Sequence, residues 1–89
     1  MSFYVTEVID GDTFCVNPTW EWNNESGDRV RALGYDTPEI GQPGFEQAKA
    51  KLERIILNKN VELKKPVSIT YGRLLCEVYI NGTDLATYF

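Results

Sequence analysis

The chain contains no histidine, two cysteines and one methionine in 89 residues. Without histidine there is no Ser-His-Asp or Cys-His nucleophile system, no histidine general base and no histidine-bound zinc. Cys15 and Cys76 stand far apart, lack C-x-x-C spacing and lie within apolar, strand-like runs. They read as buried free thiols. Positive charge is also scarce: 9 basic side chains face 13 acidic ones, for a net charge of −4. Domains that bind nucleic acid by bulk electrostatics are normally basic. Any phosphate binding here must therefore be local, or assisted by a cation. No apolar run approaches the roughly 20 residues that span a bilayer, so no membrane contact is expected. The first residues lack the basic start and apolar core of a signal peptide. Cytoplasmic and, for a processed chain, secreted locations both stay open. The length suits one domain over residues 1–89, expected as a monomer.

What remains is an ordinary globular composition, 43% hydrophobic and 25% charged, with clear local periods. Residues 3–16 are rich in Val, Ile, Phe, Tyr and Thr and read as strands, broken by a turn or bulge at Asp10-Gly11-Asp12. Residues 30–35 form a third hydrophobic run. Between the two, residues 17–28 read as an extended hairpin whose Trp20 and Trp22 share one strand face. Pro38, Gly41 and Pro43 make residues 36–43 an irregular loop. The period then changes. Phe45, Ala48, Leu52, Ile55 and Ile56 recur every three or four residues, which predicts an amphipathic helix of about three turns ending near Asn58. Residues 61–67 alternate as a strand, with Pro66 marking its edge or end. Residues 74–80 form the last strand, Asn81-Gly82 a turn, and residues 83–89 the start of a short helix capped by Thr83 or Asp84. The order β-β-β-α-β-β predicts a mostly-β chain with one main helix, folded as a five-stranded OB-fold barrel.

Unusual polar residues concentrate in three segments: Ile9-Asp10-Gly11-Asp12-Thr13, then Arg31 through Asp36-Thr37-Pro38-Glu39, then Tyr71-Gly72-Arg73-Leu74. Asp12, Asp36 and Glu39 are carboxylates at strand ends or in loops, and carboxylate oxygens suit hard cations such as calcium. Arg31 and Arg73 border strands, and the planar guanidinium fork matches phosphate. Together these groups are what phosphodiester cleavage needs: a cation to neutralise the phosphate, a carboxylate to take a proton from water, and arginines for the growing charge. Each segment also has a plainer explanation. Asp-Gly-Asp can be only a turn. Asp36 or Thr37 can cap a helix that starts at Pro38. Tyr-Gly-Arg can be a tight turn into a strand. Arg31 and Asp28 can form a surface ion pair of little value.

In order along the chain, the blocks Val8-Ile9-Asp10-Gly11-Asp12-Thr13, Val30-Arg31-Ala32-Leu33-Gly34-Tyr35-Asp36-Thr37-Pro38-Glu39, Gly44-Phe45-Glu46-Gln47-Ala48, Tyr71-Gly72-Arg73-Leu74-Leu75 and Val78 to Leu85 resemble the staphylococcal nuclease (thermonuclease) family. The resemblance runs over nearly the whole chain and implies a member that is short at the C-terminus. It further implies an OB barrel and calcium-dependent hydrolysis of single- or double-stranded DNA and RNA, leaving a 3′-phosphate and a 5′-hydroxyl. By the same resemblance Asp12 and Asp36 are calcium ligands through their carboxylates and Thr37 through its backbone carbonyl. Glu39 is the general base for the attacking water, Arg31 and Arg73 hold the phosphate, Tyr71 contacts a nucleotide phosphate, and Asp10 supports the loop. The other expectation is a non-catalytic OB module of nuclease ancestry that binds nucleic acid or protein. The acidity fits the first of these: Asp10, Asp12, Asp36 and Glu39 against Arg31 and Arg73 leave a local charge of −2, which one Ca²⁺ would cancel.

Overall fold

The computed structural model describes residues 2–89. Its framework is β1 (Ser2–Val8), β2 (Thr13–Trp22), β3 (Glu25–Ala32), α1 (Phe45–Ile56), β4 (Asn60–Thr70), β5 (Arg73–Ile80) and β6 (Thr83–Asp84), with a 3-10 turn over Leu85–Tyr88 after them. β1 pairs antiparallel with both β2 and β4, β2 with β3, and β4 with β5. β3 and β5 then pair in parallel through Arg29↔Arg73, Val30↔Leu74, Arg31↔Leu75 and Ala32↔Cys76. That last ladder closes β1, β2, β3, β5 and β4 into a barrel and leaves no open edge among them. The result is a mostly-β, OB-fold-like closed five-stranded barrel with one α-helix.

Alternation builds the barrel core. On β5, Leu74, Cys76, Val78 and Ile80 are buried while the residues between them are partly exposed. Val5 and Val8 on β1, Phe14 and Val16 on β2, and Val30 and Ala32 on β3 meet them inside. Helix α1 covers the barrel through Leu52 and Ile56, both fully buried. Each such side chain contributes about 1.5–3 kcal/mol relative to exposure. Gly44, at φ 88°, enters the helix without a side-chain cap, and Arg54 in the last turn suits the negative helix end. Both cysteines are free and buried, as their apolar surroundings implied. No helix among the described residues is long and apolar enough to cross a membrane.

Three boundaries differ from the sequence expectation. The third strand covers Glu25–Ala32 rather than 30–35, because its first half, Glu-Ser-Gly-Asp, carries no apolar alternation. Main-chain pairing Trp20↔Gly27, Glu21↔Ser26 and Trp22↔Glu25 makes it a ribbon extending from the barrel. Asn23 (φ 54°) and Asn24 (φ 64°) close it as a two-residue turn with both residues left-handed. Trp20 anchors the ribbon. Its ring leaves no room for a side chain at Gly27, where a Cβ would lie 2.8 Å away, and its indole N–H donates to the Arg29 carbonyl at 2.7 Å. Pro66 does not end β4. The strand continues to Thr70 through a register shift between Lys64 and Ser68, with Lys65 at φ 51°. The shift spares the missing proline N–H a place in the ladder. β6, two residues long, is too short to show any pattern, and it pairs with Tyr79 and Ile80 of β5. Of the two candidate caps, Asp84 is the one used: it accepts from the Ala86 amide at 2.9 Å.

Candidate functional site

The turn between β1 and β2 folds on itself. The amides of Ile9 and Asp10 donate to the Thr13 carbonyl at 2.9 and 3.2 Å, and the Asp12 amide donates to Asp10 Oδ1 at 3.0 Å. This local side-chain acceptor is the reason Asp-x-Asp suits the turn. Asp10 thereby supports the loop. The Asp12 carbonyl accepts from the Ala32 amide at 2.9 Å, which ties the turn to the end of β3. Asp12 itself is only 6% exposed.

Arg31 answers that buried carboxylate. Its Nε and Nη2 donate to Asp12 Oδ2 at 3.2 and 2.9 Å. The same Nη2 donates to Asp36 Oδ1 at 2.7 Å, and the Thr13 hydroxyl donates to Asp12 Oδ1 at 3.3 Å. Burial pushes the Asp12 carboxyl above the usual range, aided by its hydrogen bond with Asp10 and opposed by Arg31. The hydrogen bond with Asp12 raises the guanidinium. Arg31 pairs with these two acids and not with Asp28, the plainer alternative, since it faces the β1–β2 turn rather than its own hairpin.

Beyond β3 the chain leaves the sheet at Gly34, φ 100°, where a Cβ would meet Ala86 at 2.8 Å. Tyr35 anchors the loop at this exit. Its hydroxyl donates to the Gly11 carbonyl at 2.9 Å, and its ring stacks on Phe89 at 4.3 Å between centroids. Lys51 of α1 lies 4.5 Å above the other aromatic of that pair, Phe89. Burial drives the Tyr35 hydroxyl far above its ordinary value, so it stays a donor. Residues 36–39 form no helix, which excludes the capping explanation of Asp36 and Thr37. They run as loop over the turn: a Cβ on Gly11 would lie 2.5 Å from Thr37 Oγ1, 2.7 Å from Thr37 Cβ and 2.8 Å from Ala48 Cβ. Only glycine permits this approach. The Glu39 amide donates to Gln42 Oε1 at 2.8 Å and the Gln42 amide to the Glu39 carbonyl at 2.9 Å. Glu39 is exposed, and its carboxylate has no hydrogen-bond partner among the described residues.

These segments enclose a polar cleft of about 320 Å³. Asp12, Arg31, Asp36, Thr37, Glu39 and Arg73, all singled out in the sequence, line it together with Asp10. Gln42 lines it as well. Sequence reasoning missed that residue, because a lone glutamine in a Gly/Pro loop carries no signal. Tyr71 does not join them. At φ 52° it turns its side chain outward, 93% exposed, with the Arg73 guanidinium 5.8 Å from its ring centroid.

Among the described residues no three acidic or sulfur side chains are already gathered around a common cation position. The donor chemistry nonetheless fits a hard cation. Arg31 Nη2 sits between Asp12 Oδ2 and Asp36 Oδ1 at distances only a few tenths of an ångström longer than the about 2.3–2.6 Å of calcium–oxygen bonds. The guanidinium thus marks a cationic position between two carboxylates. Thr37, which also lines the cleft, has its Oγ1 packed against Gly11 and buried without a hydrogen-bond partner, an oxygen with unused acceptor capacity. No protein-family model and no curated protein matches the chain.

Proposed function

We propose that this domain is a calcium-dependent nuclease, hydrolysing phosphodiester bonds of DNA and RNA in the manner of the staphylococcal nuclease family its motifs resemble. One observation carries the reading. Four separate segments, residues 10–12, Arg31, residues 36–42 and Arg73, bring four carboxylates and two arginines to a single polar cleft. Packing alone gives no reason to collect those groups in one place.

The roles are those the resemblance implies, and the placement of the groups in one cleft supports them. Asp12 and Asp36, with the Thr37 carbonyl, would hold calcium, the first two by replacing their shared bonds to Arg31. Bound there, calcium supplies charge neutralisation and orientation of the phosphate. Arg31, released from the two acids, and Arg73 present forked donors to the phosphoryl oxygens, whose charge grows in the transition state. Glu39, whose carboxylate is exposed and without a protein partner, accepts the proton of the attacking water. Gln42 fixes the Glu39 backbone and so the reach of its side chain. Tyr71, which points outward, takes a phosphate only at the rim.

The Arg31 bonds to Asp12 and Asp36 favour a second reading, a non-catalytic OB module in which the three side chains form a closed structural unit. Incubation with single-stranded DNA, with calcium or with chelator, separates the two. The nuclease reading expects calcium-stimulated digestion that Glu39→Gln lowers by about 10²–10⁴-fold, as for loss of a general base, and that Arg73→Ala also lowers. Cleavage no faster than in those variants sinks the enzyme. NMR shifts of Asp12 and Asp36 that stay fixed at millimolar calcium favour the module.

A further inference from the structure

The cleft accounts for Arg31 and Arg73 but not for Arg29. Arg29 and Arg73 are register partners on the parallel β3–β5 ladder. The next pair, Val30 and Leu74, is buried inside the barrel, so Arg29 and Arg73 both project from the outer face. Arg31 lies two residues further along β3 on that same face. Three arginines therefore line the outside of the β3–β5 ladder, and the cleft covers only two of them.

Their charges are treated differently. Arg31 is paired with Asp12 and Asp36. Neither Arg29 nor Arg73 forms an ion pair among the described residues. Like charges side by side in register repel, and 13 acidic residues were available to neutralise them. Arg29 is the register partner of Cys15 on β2, whose own partner on β1 is the exposed Glu7, and Asp28 precedes Arg29 on β3. On the other flank Arg73 meets Thr70 of β4, its register partner, which is exposed. Across the outer face the charge runs from Glu7 on β1 through Arg29 to Arg73 on β5, so an anion is favoured on the β5 side of Arg29.

We infer that Arg29 forms a second phosphate subsite, holding the phosphate adjacent to the one at Arg31 and Arg73 on the same nucleic-acid strand. The inference rests on the nuclease reading and adds to it a substrate that runs along the β3–β5 ladder. Two residues along a strand advance about 6.6 Å, a step comparable with that between consecutive phosphates of an extended single strand. The track is short, so it contributes length dependence rather than tight binding.

The test uses the Glu39→Gln protein with calcium, so that substrate survives, and two oligothymidylates: a dinucleotide with one phosphodiester and a tetranucleotide with three. Calorimetric titration gives their affinities. Arg29→Gln should weaken the tetranucleotide by about three- to fivefold at low salt, flatten its log–log salt slope by about 0.7, and leave the dinucleotide unchanged. Arg29→Lys should restore most of the loss. Trp20 fluorescence reports folding, since the indole bonds only to the Arg29 backbone. Equal losses for both oligomers, or no loss for either, overturn the subsite while the nuclease reading stands. Failure of the Glu39→Gln protein to bind either oligomer overturns both.

Discussion

Arg31→Met is the sharpest probe of the site's electrostatics. The substitution keeps the aliphatic stem and removes the only cation bonded to Asp12 among the described residues. Two unit charges about 4 Å apart attract by about 4 kcal/mol at an effective dielectric of 20. Stripping one partner from a fully buried pair typically costs about 3–5 kcal/mol. Here the Asp12 side chain is 9% exposed but that of Arg31 is 26% exposed, so water at the cleft mouth screens the pair. A loss of about 2 kcal/mol is expected, equivalent to about 8–16 °C in Tm for a domain of this size. Asp12→Asn should cost less, about 1 kcal/mol, because Arg31 keeps its bond to Asp36 and can reach water. In the double variant no charge is stranded, so its cost should fall short of the sum by about 1 kcal/mol. Urea denaturation tracked by the fluorescence of Trp20, which is buried, measures all three. Asp36→Asn is the control: its side chain is 91% exposed, and it should cost under about 1 kcal/mol. Additivity within about 0.5 kcal/mol, or an Asp36→Asn loss as large as that of Arg31→Met, refutes the reasoning.

Gly11→Ala should cost about 1–3 kcal/mol by overpacking against Thr37 and Ala48, and it should move the NMR signals of Asp36 and Thr37; an unchanged melting temperature with unmoved signals contradicts the close approach. Burial lifts the Cys76 thiol from 9.0 to about 12, so the folded state holds the proton more tightly than the unfolded chain. Its contribution is complete below pH 9 and fades as pH rises toward 12. At pH 10.5 the loss amounts to about 2 kcal/mol, and Cys76→Ala should show a correspondingly smaller alkaline loss in urea melts; parallel pH profiles for the two proteins refute it.

The helix and the alternating strands were legible because burial imposes their periods on the residues. Leu52 and Ile56 had to fall on one face of α1, and Leu74, Cys76, Val78 and Ile80 on one side of β5. The hairpin over residues 17–28 was legible from its turn residues, but its joining to residues 29–32 as one strand was not, since Glu25 to Asp28 bury almost nothing and pair through the main chain. The continuation of β4 past Pro66 was also hidden, because a bulge absorbs the lost donor without any side-chain signature. At the site, the acids and arginines were found from residue type and order. Their connections were not: Arg31 lies close to Asp28 in sequence and yet bonds to Asp12, nineteen residues away, and to Asp36.

The chain by itself determined the chemical repertoire. Lacking histidine, it excludes histidine chemistry, and with 13 acidic against 9 basic side chains it excludes a broadly basic surface. It also determined the element types, since periods of 2 and 3.6 are properties of consecutive residues. The parallel β3–β5 ladder was decided only by the tertiary structure, because nothing local specifies which distant strands close a barrel. That one closure sets Arg29 beside Arg73 and brings Arg73 within the cleft that Arg31 lines. The turn at Gly11 and the loop at Thr37 likewise meet only in the folded chain, where a missing Cβ lets the Asp12 and Asp36 carboxylates share one guanidinium.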